Sequence, residues 1–250
     1  MTPTQKTKVL IVQTDNRNNI DYVGLTKLAN SRTVEYLQQA NHLHEIEYRY
    51  EFIDMTPEYY QNIHPATGKI YVVNHLLNTI DDDIIVFLDS DAWIQNPDYL
   101  HDLILTLFHS SSNGCFSRDP YVKKNDYINS GSFLLKINDF TRMIYREIIE
   151  RLTSDSSHHN EWTYDQYYIS QIIYNYREHF LIFIPEVINT PYGEILRHNW
   201  WKSHKMFADL YDILDVGKPY QPPEQPYDFD RQIDTHCWPN PNETGYEYQT

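Results

Sequence analysis

The sequence has no long basic run, and its charge leans the other way. Its 20 Lys and Arg stand against 35 Asp and Glu, a formal charge of -15. Binding along a nucleic-acid backbone depends on clustered Lys and Arg, so charge excludes nucleic acid as a partner class. An anionic membrane surface falls for the same reason. A phosphorylated small molecule stays open, provided that a cation accompanies it. No apolar stretch approaches the roughly twenty residues that span a bilayer, so no membrane span is expected. Cysteine is nearly absent: Cys115 and Cys237 lie far apart. That excludes a cysteine metal knuckle and a disulfide framework, and leaves either free thiols or one long-range bridge. The opening MTPTQKT is polar and unlike a signal peptide. Taken as the true start, it predicts a soluble intracellular, cytoplasmic protein. No Gly-x-Gly-x-x-Gly follows Val9 to Val12, which removes a dinucleotide-binding dehydrogenase, and no Gly-x-Ser-x-Gly elbow occurs. Internal repeats and coiled-coil heptads are missing too. Asn242-Glu243-Thr244 is a formal glycosylation triplet of a kind common by chance.

The chain of 250 residues is long enough for one large domain, or for one domain with an extension. Residues 8–14 are a short β-rich apolar run, broken by the polar loop 15–19. Residues 24–42 show helical spacing at Leu25, Leu28, Val34 and Leu37, and 44–52 alternate like a strand. Strand, loop, helix, strand is the front half of a nucleotide-binding α/β domain. A helix after Pro65 places Ile70, Val73 and Leu77 on one side. A short helix is expected over 98–108 and a strand over 115–118. Asn129-Ser130-Gly131-Ser132 reads as a polar turn running into the strand Phe133-Leu134-Leu135. Asp139 is the expected cap of a helix reaching about residue 152. Another helix spans 164–176, and a strand at 181–184 is stopped by Pro185. The domain is expected to cover 1–214. A proline-rich extension, 215–250, packs on it or is partly disordered, with Tyr220-Gln221-Pro222-Pro223 as its clearest segment.

The chemistry concentrates at Ile84-Ile85-Val86-Phe87-Leu88-Asp89-Ser90-Asp91. A continuous apolar run predicts a strand buried on both faces, and it ends in two carboxylates one residue apart. A buried carboxylate is costly unless paired or bound to a metal, and strand ends are where open α/β sheets hold ligands. Residues two apart in a strand face the same way. One carboxylate can therefore coordinate a hard divalent ion shared with substrate phosphates, while the other reaches it through water. The bland alternative is a pair of solvated turn or cap residues.

Val86-Phe87-Leu88-Asp89-Ser90-Asp91-Ala92-Trp93-Ile94 resembles the acidic metal motif of GT-A-fold glycosyltransferases. It is most similar to the galactosyl- and xylosyltransferase families of the alpha-mannan and xyloglucan type. Lys69-Ile70, with Val73 and Leu77, resembles the helix that precedes this motif. Asn129-Ser130-Gly131-Ser132 resembles the segment lining the donor sugar, Asp165-Gln166 matches a later pair at a helix start, and His198 falls where such folds place a further metal ligand. The resemblance spans residues 8–205. It implies an α/β GT-A fold, a Rossmann-like mixed central sheet flanked by helices. It also implies a metal-dependent transfer of a hexose or pentose from a nucleotide-diphosphate sugar, UDP-linked, to a glycan hydroxyl, with retention favoured. Mn2+ or Mg2+ would sit on Asp89, Asp91 and His198. Thr14 and Asp15 would meet the base or ribose, and Lys69 either the diphosphate or the acidic motif. Ser90, Ser130 and Gly131 would line the donor. Asn129, Asp165 and Gln166 would stand near the reacting carbon. Trp201 occupies the place where members have a glycine, so the diphosphate-binding lysine is either Lys202 or Lys205. Trp93, Trp162, Trp200 and Trp201 lie near these segments and could pack against a sugar face or simply be structural.

Two other classes remain. A haloacid-dehalogenase-like phosphohydrolase also begins with an apolar strand and Asp-x-Asp, but on its first strand and followed by Gly-Thr. A non-catalytic nucleotide-sugar-binding relative would keep the fold without turnover. The sequence does not bear on oligomeric state.

Overall fold

The computed structural model describes residues 6–17, 21–40, 46–60, 62–120, 127–200, 210, 227–229 and 232–233. The first half runs β1 (Thr7–Asp15), α1 (Asp21–Gln39), β2 (Ile46–Asp54), α2 (Pro57–Tyr60), α3 (Pro65–Thr79), β3 (Ile84–Asp89), β4 (Ala92–Ile94) and α4 (Pro97–His109). The second runs β5 (Gly114–Arg118), β6 (Ile128–Lys136), α5 (Asp139–Ser154), α6 (Asp165–Asn175), a 3-10 turn at Arg177–His179, β7 (Leu181–Phe183), α7 (Pro185–Ile188) and β8 (Leu196–His198).

Six strands form one mixed sheet in the order β2-β1-β3-β6-β5-β7. β1 lies between β2 and β3 and is parallel to both. Successive strand residues face opposite ways, so the unbroken apolar runs of β1 and β3 demand cover on both faces. Leu10, Val12, Ile85 and Phe87 pack into one core with α3, α5 and α6. Val9, Ile11, Ile84, Val86 and Leu88 pack into the other with α1 and α4. The fold is the mixed α/β sheet flanked by helices that the sequence predicts. β6 runs antiparallel to β3, pairing Ser132 with Leu88. That reversal brings the start of β6 to the carboxyl ends of β1 and β3, the edge where Thr14 pairs with Asp89.

Several local expectations are corrected. Asn129 to Ser132 are not a turn but part of β6, paired with β5 on one side and β3 on the other. Their polarity reflects buried hydrogen bonds rather than exposure: Asn129 donates to Asp119 Oδ2 at 3.1 Å, and Ser132 donates to the Ile188 carbonyl. Asn138, not Asp139, caps α5, because its extended backbone lets the side chain accept from Thr141 N at 3.0 Å in a capping box. Asp139 is exposed in the first turn and pairs with Arg142. Leu28 lies on the outer side of α1, 44 % exposed. α6 begins one residue after Tyr164, whose φ of 53° keeps it out of the helix. β4 and β8, which form a separate antiparallel pair, were not expected.

Cys115 is a buried free thiol on β5, and Cys237 lies outside the described residues. Of the expected extension, Tyr227, Phe229 and Ile233 pack on the second core, where Ile184 N donates to the Gln232 carbonyl at 3.0 Å. Tyr220-Gln221-Pro222-Pro223 lies outside the described residues. Among the described residues, no helix is long and apolar enough to cross a membrane.

Candidate functional site

β3 carries Asp89 to the sheet edge, and the chain turns through Ser90 and Asp91 into β4. β4 pairs with β8 so that Ala92 opposes His198, which sets the imidazole beside the acidic pair. His198 Nε2 lies 3.2 Å from Asp91 Oδ1 and 3.6 Å from Asp89 Oδ2. One ligand atom from each of the three residues falls within a sphere of contacts no longer than 4.8 Å.

The orientation of the ring follows from its neighbours. Asn189 Nδ2 donates to the carbonyls of Asn129 and Ser132, at 2.9 and 3.1 Å, so Asn189 Oδ1 is the atom facing His198 Nδ1 at 3.1 Å. Nδ1 must then carry a hydrogen, which leaves Nε2 directed at the carboxylates, the tautomer that a metal takes. Burial pulls this imidazole down, but Asp91 and Asp89 outweigh it and leave it raised above its ordinary value. Two carboxylates with one imidazole suit a hard or borderline divalent ion such as Mn2+ or Mg2+.

Lys69, on α3, is buried rather than exposed. Its ammonium spends its hydrogens on Asp89 Oδ1 and Oδ2, at 2.9 and 3.1 Å, and on the Ser130 carbonyl at 3.2 Å. It also pairs with Asp165 Oδ2 at 3.2 Å. Burial pulls Lys69 down, while Asp165 and Asp89 raise it to about 12. One ammonium therefore serves two carboxylates. Burial pushes Asp165 up, Lys69 pulls it back and Asp89 pushes it up again, leaving it at about 6. With Asp91 added, the cluster carries more negative than positive charge, which a divalent cation would balance.

These groups line a cavity of about 720 Å³, within the roughly 300–1,000 Å³ of small-molecule sites. Thr14, Asp15, Ser90, Asn129, Ser130 and Gln166 share its wall with Asp89, Asp91 and His198. Gly131 stands behind His198, where a Cβ would lie 2.0 Å from the ring, so close approach is what the glycine provides. Gln166 accepts from Ser130 N at 3.3 Å and donates to Asp119 Oδ2 at 3.1 Å. Thus the expected site residues converge, except Lys202 and Lys205, which lie outside the described residues, as does Trp201. Trp93 is fully buried and donates to Gln95, away from the cavity; Trp162 and Trp200 line it.

Sequence reasoning missed three residues here. Arg17 grips Asp15 with Nε and Nη2, at 3.0 and 2.8 Å, so the carboxylate expected at the base is already partnered. Asp119 joins Asn129 to Gln166, but it follows Ser117 and Arg118 rather than an apolar run, so the pattern of β3 is not repeated there. Asn189, in an ordinary turn segment, carried no signal.

Strand order, strand-end carboxylates and the paired histidine strand define a GT-A fold. A solved glycosyltransferase involved in the glycosylation of the major capsid of PBCV-1 shares it, with a TM-score of 0.51 and 15% identity over 83% of this chain and 99% of that one. The galactosyltransferase LgtC, solved with donor and acceptor sugar analogs, is also similar: TM-score 0.46, 15% identity, 72% of this chain and 74% of that one. The glycosyltransferase GlyE of Streptococcus pneumoniae TIGR4 matches with a TM-score of 0.43 and 14% identity, over 73% of this chain and 46% of that one. No family model and no curated protein matches the chain.

Proposed function

We propose that this protein is a metal-dependent glycosyltransferase, moving a hexose or pentose from a UDP-sugar to a hydroxyl of a glycan acceptor with retention of configuration. The observation that carries the reading is the convergence of Asp89, Asp91 and His198 with Asp165 and Gln166 on one cavity. The GT-A fold shared with a capsid glycosyltransferase supports it. The finer likeness to galactosyl- and xylosyltransferases of the alpha-mannan and xyloglucan type rests on motif order and spacing.

Asp89, Asp91 and His198 would hold Mn2+ or Mg2+, which when bound would supply positive charge to offset that developing on the leaving diphosphate. Thr14 and Asp15 would sit at the nucleoside end, with Ser90 beside the phosphates. Asn129, Ser130 and Gly131 form the donor-sugar wall. Gln166 faces the reacting carbon, its amide held by Asp119 and Ser130 N. Lys69 bridges Asp89 and Asp165 and so ties the metal end to the sugar end. An inverting reaction needs a carboxylate base facing the acceptor hydroxyl. Asp165 is 2% exposed and faces Lys69, which favours sugar binding over that role and supports retention. A haloacid-dehalogenase-like phosphohydrolase fits less well, because its motif belongs on the first strand and Asp89 here ends β3.

Calorimetric titration with UDP and GDP, each with Mn2+ and with chelator, tests the reading. UDP is expected to bind only with Mn2+, and Asp91→Ala to abolish that binding. Binding of neither nucleotide under either condition would remove the metal-dependent assignment. Hydrolysis of a UDP-sugar by the wild type, lost in Asp91→Ala, would eliminate a non-catalytic relative.

A further inference from the structure

Gln13 follows the apolar run Val9 to Val12 of β1 and is completely buried. A buried primary amide needs partners for both ends, and those of Gln13 lie on the turn that carries the acidic pair. Nε2 faces the Asp89 carbonyl at 2.9 Å, Thr26 Oγ1 at 3.1 Å and the Ala92 carbonyl at 3.2 Å. Oε1 accepts from Tyr50 Oη at 2.8 Å and from Asn30 Nδ2 at 3.4 Å. A flipped amide would set its oxygen against two carbonyls, so the orientation is fixed.

α1 completes the set. Thr26 Oγ1 donates to the Ser90 carbonyl at 2.6 Å. Asn30 Nδ2 lies 3.2 Å from the Ala92 carbonyl, and Asn30 Oδ1 accepts from Ile94 N at 3.0 Å. The carbonyls of residues 89, 90 and 92 are thereby held by side chains from β1 and α1. The Asp91 carbonyl accepts from Asn199 N at 2.9 Å, next to His198. The four carbonyls of residues 89 to 92 are therefore held from three places: β1, α1 and the residue after β8.

We propose that Gln13, Thr26 and Asn30 are positioning residues, a buried polar cradle that fixes the turn between β3 and β4 and so sets the divalent-cation affinity of Asp89 and Asp91. The inference rests on the metal reading above. A carboxylate whose backbone can rock must be ordered when the ion arrives, and that cost appears as lost affinity; a preorganised turn avoids it.

The test is Mn2+ titration followed by electron paramagnetic resonance, alone and with UDP, on the full chain and on Gln13→Met, Thr26→Val and Thr26→Ser. Gln13→Met and Thr26→Val are expected to weaken Mn2+ binding by roughly tenfold or more, the size of typical outer-sphere effects. Thr26→Ser keeps the hydroxyl and should bind as the wild type does. Wild-type affinity in a folded Gln13→Met or Thr26→Val protein would overturn the inference and leave the metal site standing. Loss of folding in Gln13→Met leaves the decision to the Thr26 pair, of which only Thr26→Ser keeps the hydroxyl. No Mn2+ binding by the wild type would overturn the metal reading and the inference together.

Discussion

Gly131 on β6 and His198 on β8 are in such close contact that a single methyl group would not fit between them: a Cβ at residue 131 would lie 2.0 Å from His198 Cε1 and Nδ1. Asn189 and Asp91 hold the imidazole from the other sides, at 3.1 and 3.2 Å, so it has little room to retreat. Gly131→Ala should therefore move the ring off the carboxylates. The expected result is an overpacking cost of about 1–3 kcal/mol in urea unfolding together with a clear loss of Mn2+ affinity. Unchanged affinity in a folded Gly131→Ala protein would show that His198 is not a ligand.

Lys69 is the common cation of Asp89 and Asp165, and the side chains of Lys69 and Asp165 are only 6% and 3% exposed. Removing one partner of a buried ion pair strands the other, typically at about 3–5 kcal/mol. Lys69→Met should lower the urea midpoint accordingly, and adding Asp165→Asn should recover part of the loss. A Lys69→Met protein as stable as the wild type would mean that water already reaches this pair.

Asp165 carries its own pH signature. Its folded-state value of about 6 stands above the ordinary 3.8. A raised acid contributes stability that is fully present below its unfolded value and is lost as pH rises through its folded value. In chelator, the wild type should thus lose stability relative to Asp165→Asn between pH 3.8 and about 6. A constant difference across that window would remove the shift.

Trp93 and Trp162, both close in sequence to site segments, should part company. Trp93 is fully buried beneath α1, while Trp162 is 50% exposed at the cavity wall. Trp93→Ala is expected to cost about 3–5 kcal/mol, whereas Trp162→Ala should stay within about 0.5 kcal/mol, as exposed substitutions do. If Trp162 meets a ligand, its replacement weakens UDP-sugar or acceptor binding with that stability intact. Equal destabilisation by the two would contradict the difference in burial.

The sequence by itself determined the alternation of elements, the doubly buried β3, and the placing of carboxylates at its end. These are readable because a strand covered on both faces must be continuously apolar, so the first charge marks its end. That logic does not reach Asp119, because Ser117 and Arg118 precede it in β5. It failed at Asn129 to Ser132, where burial with full hydrogen bonding looks in one dimension like a polar turn. Only the tertiary structure decided that His198 meets Asp91, since the pairing of β4 with β8 joins segments remote in the chain. It also decided that Lys69 faces inward, that Arg17 takes Asp15, and that Gln13 serves a turn far along the sequence. A side chain's local sequence fixes which way its element tends to run. Whether it ends in solvent, against a carbonyl or beside an opposite charge depends on contacts between distant segments, which no local pattern encodes.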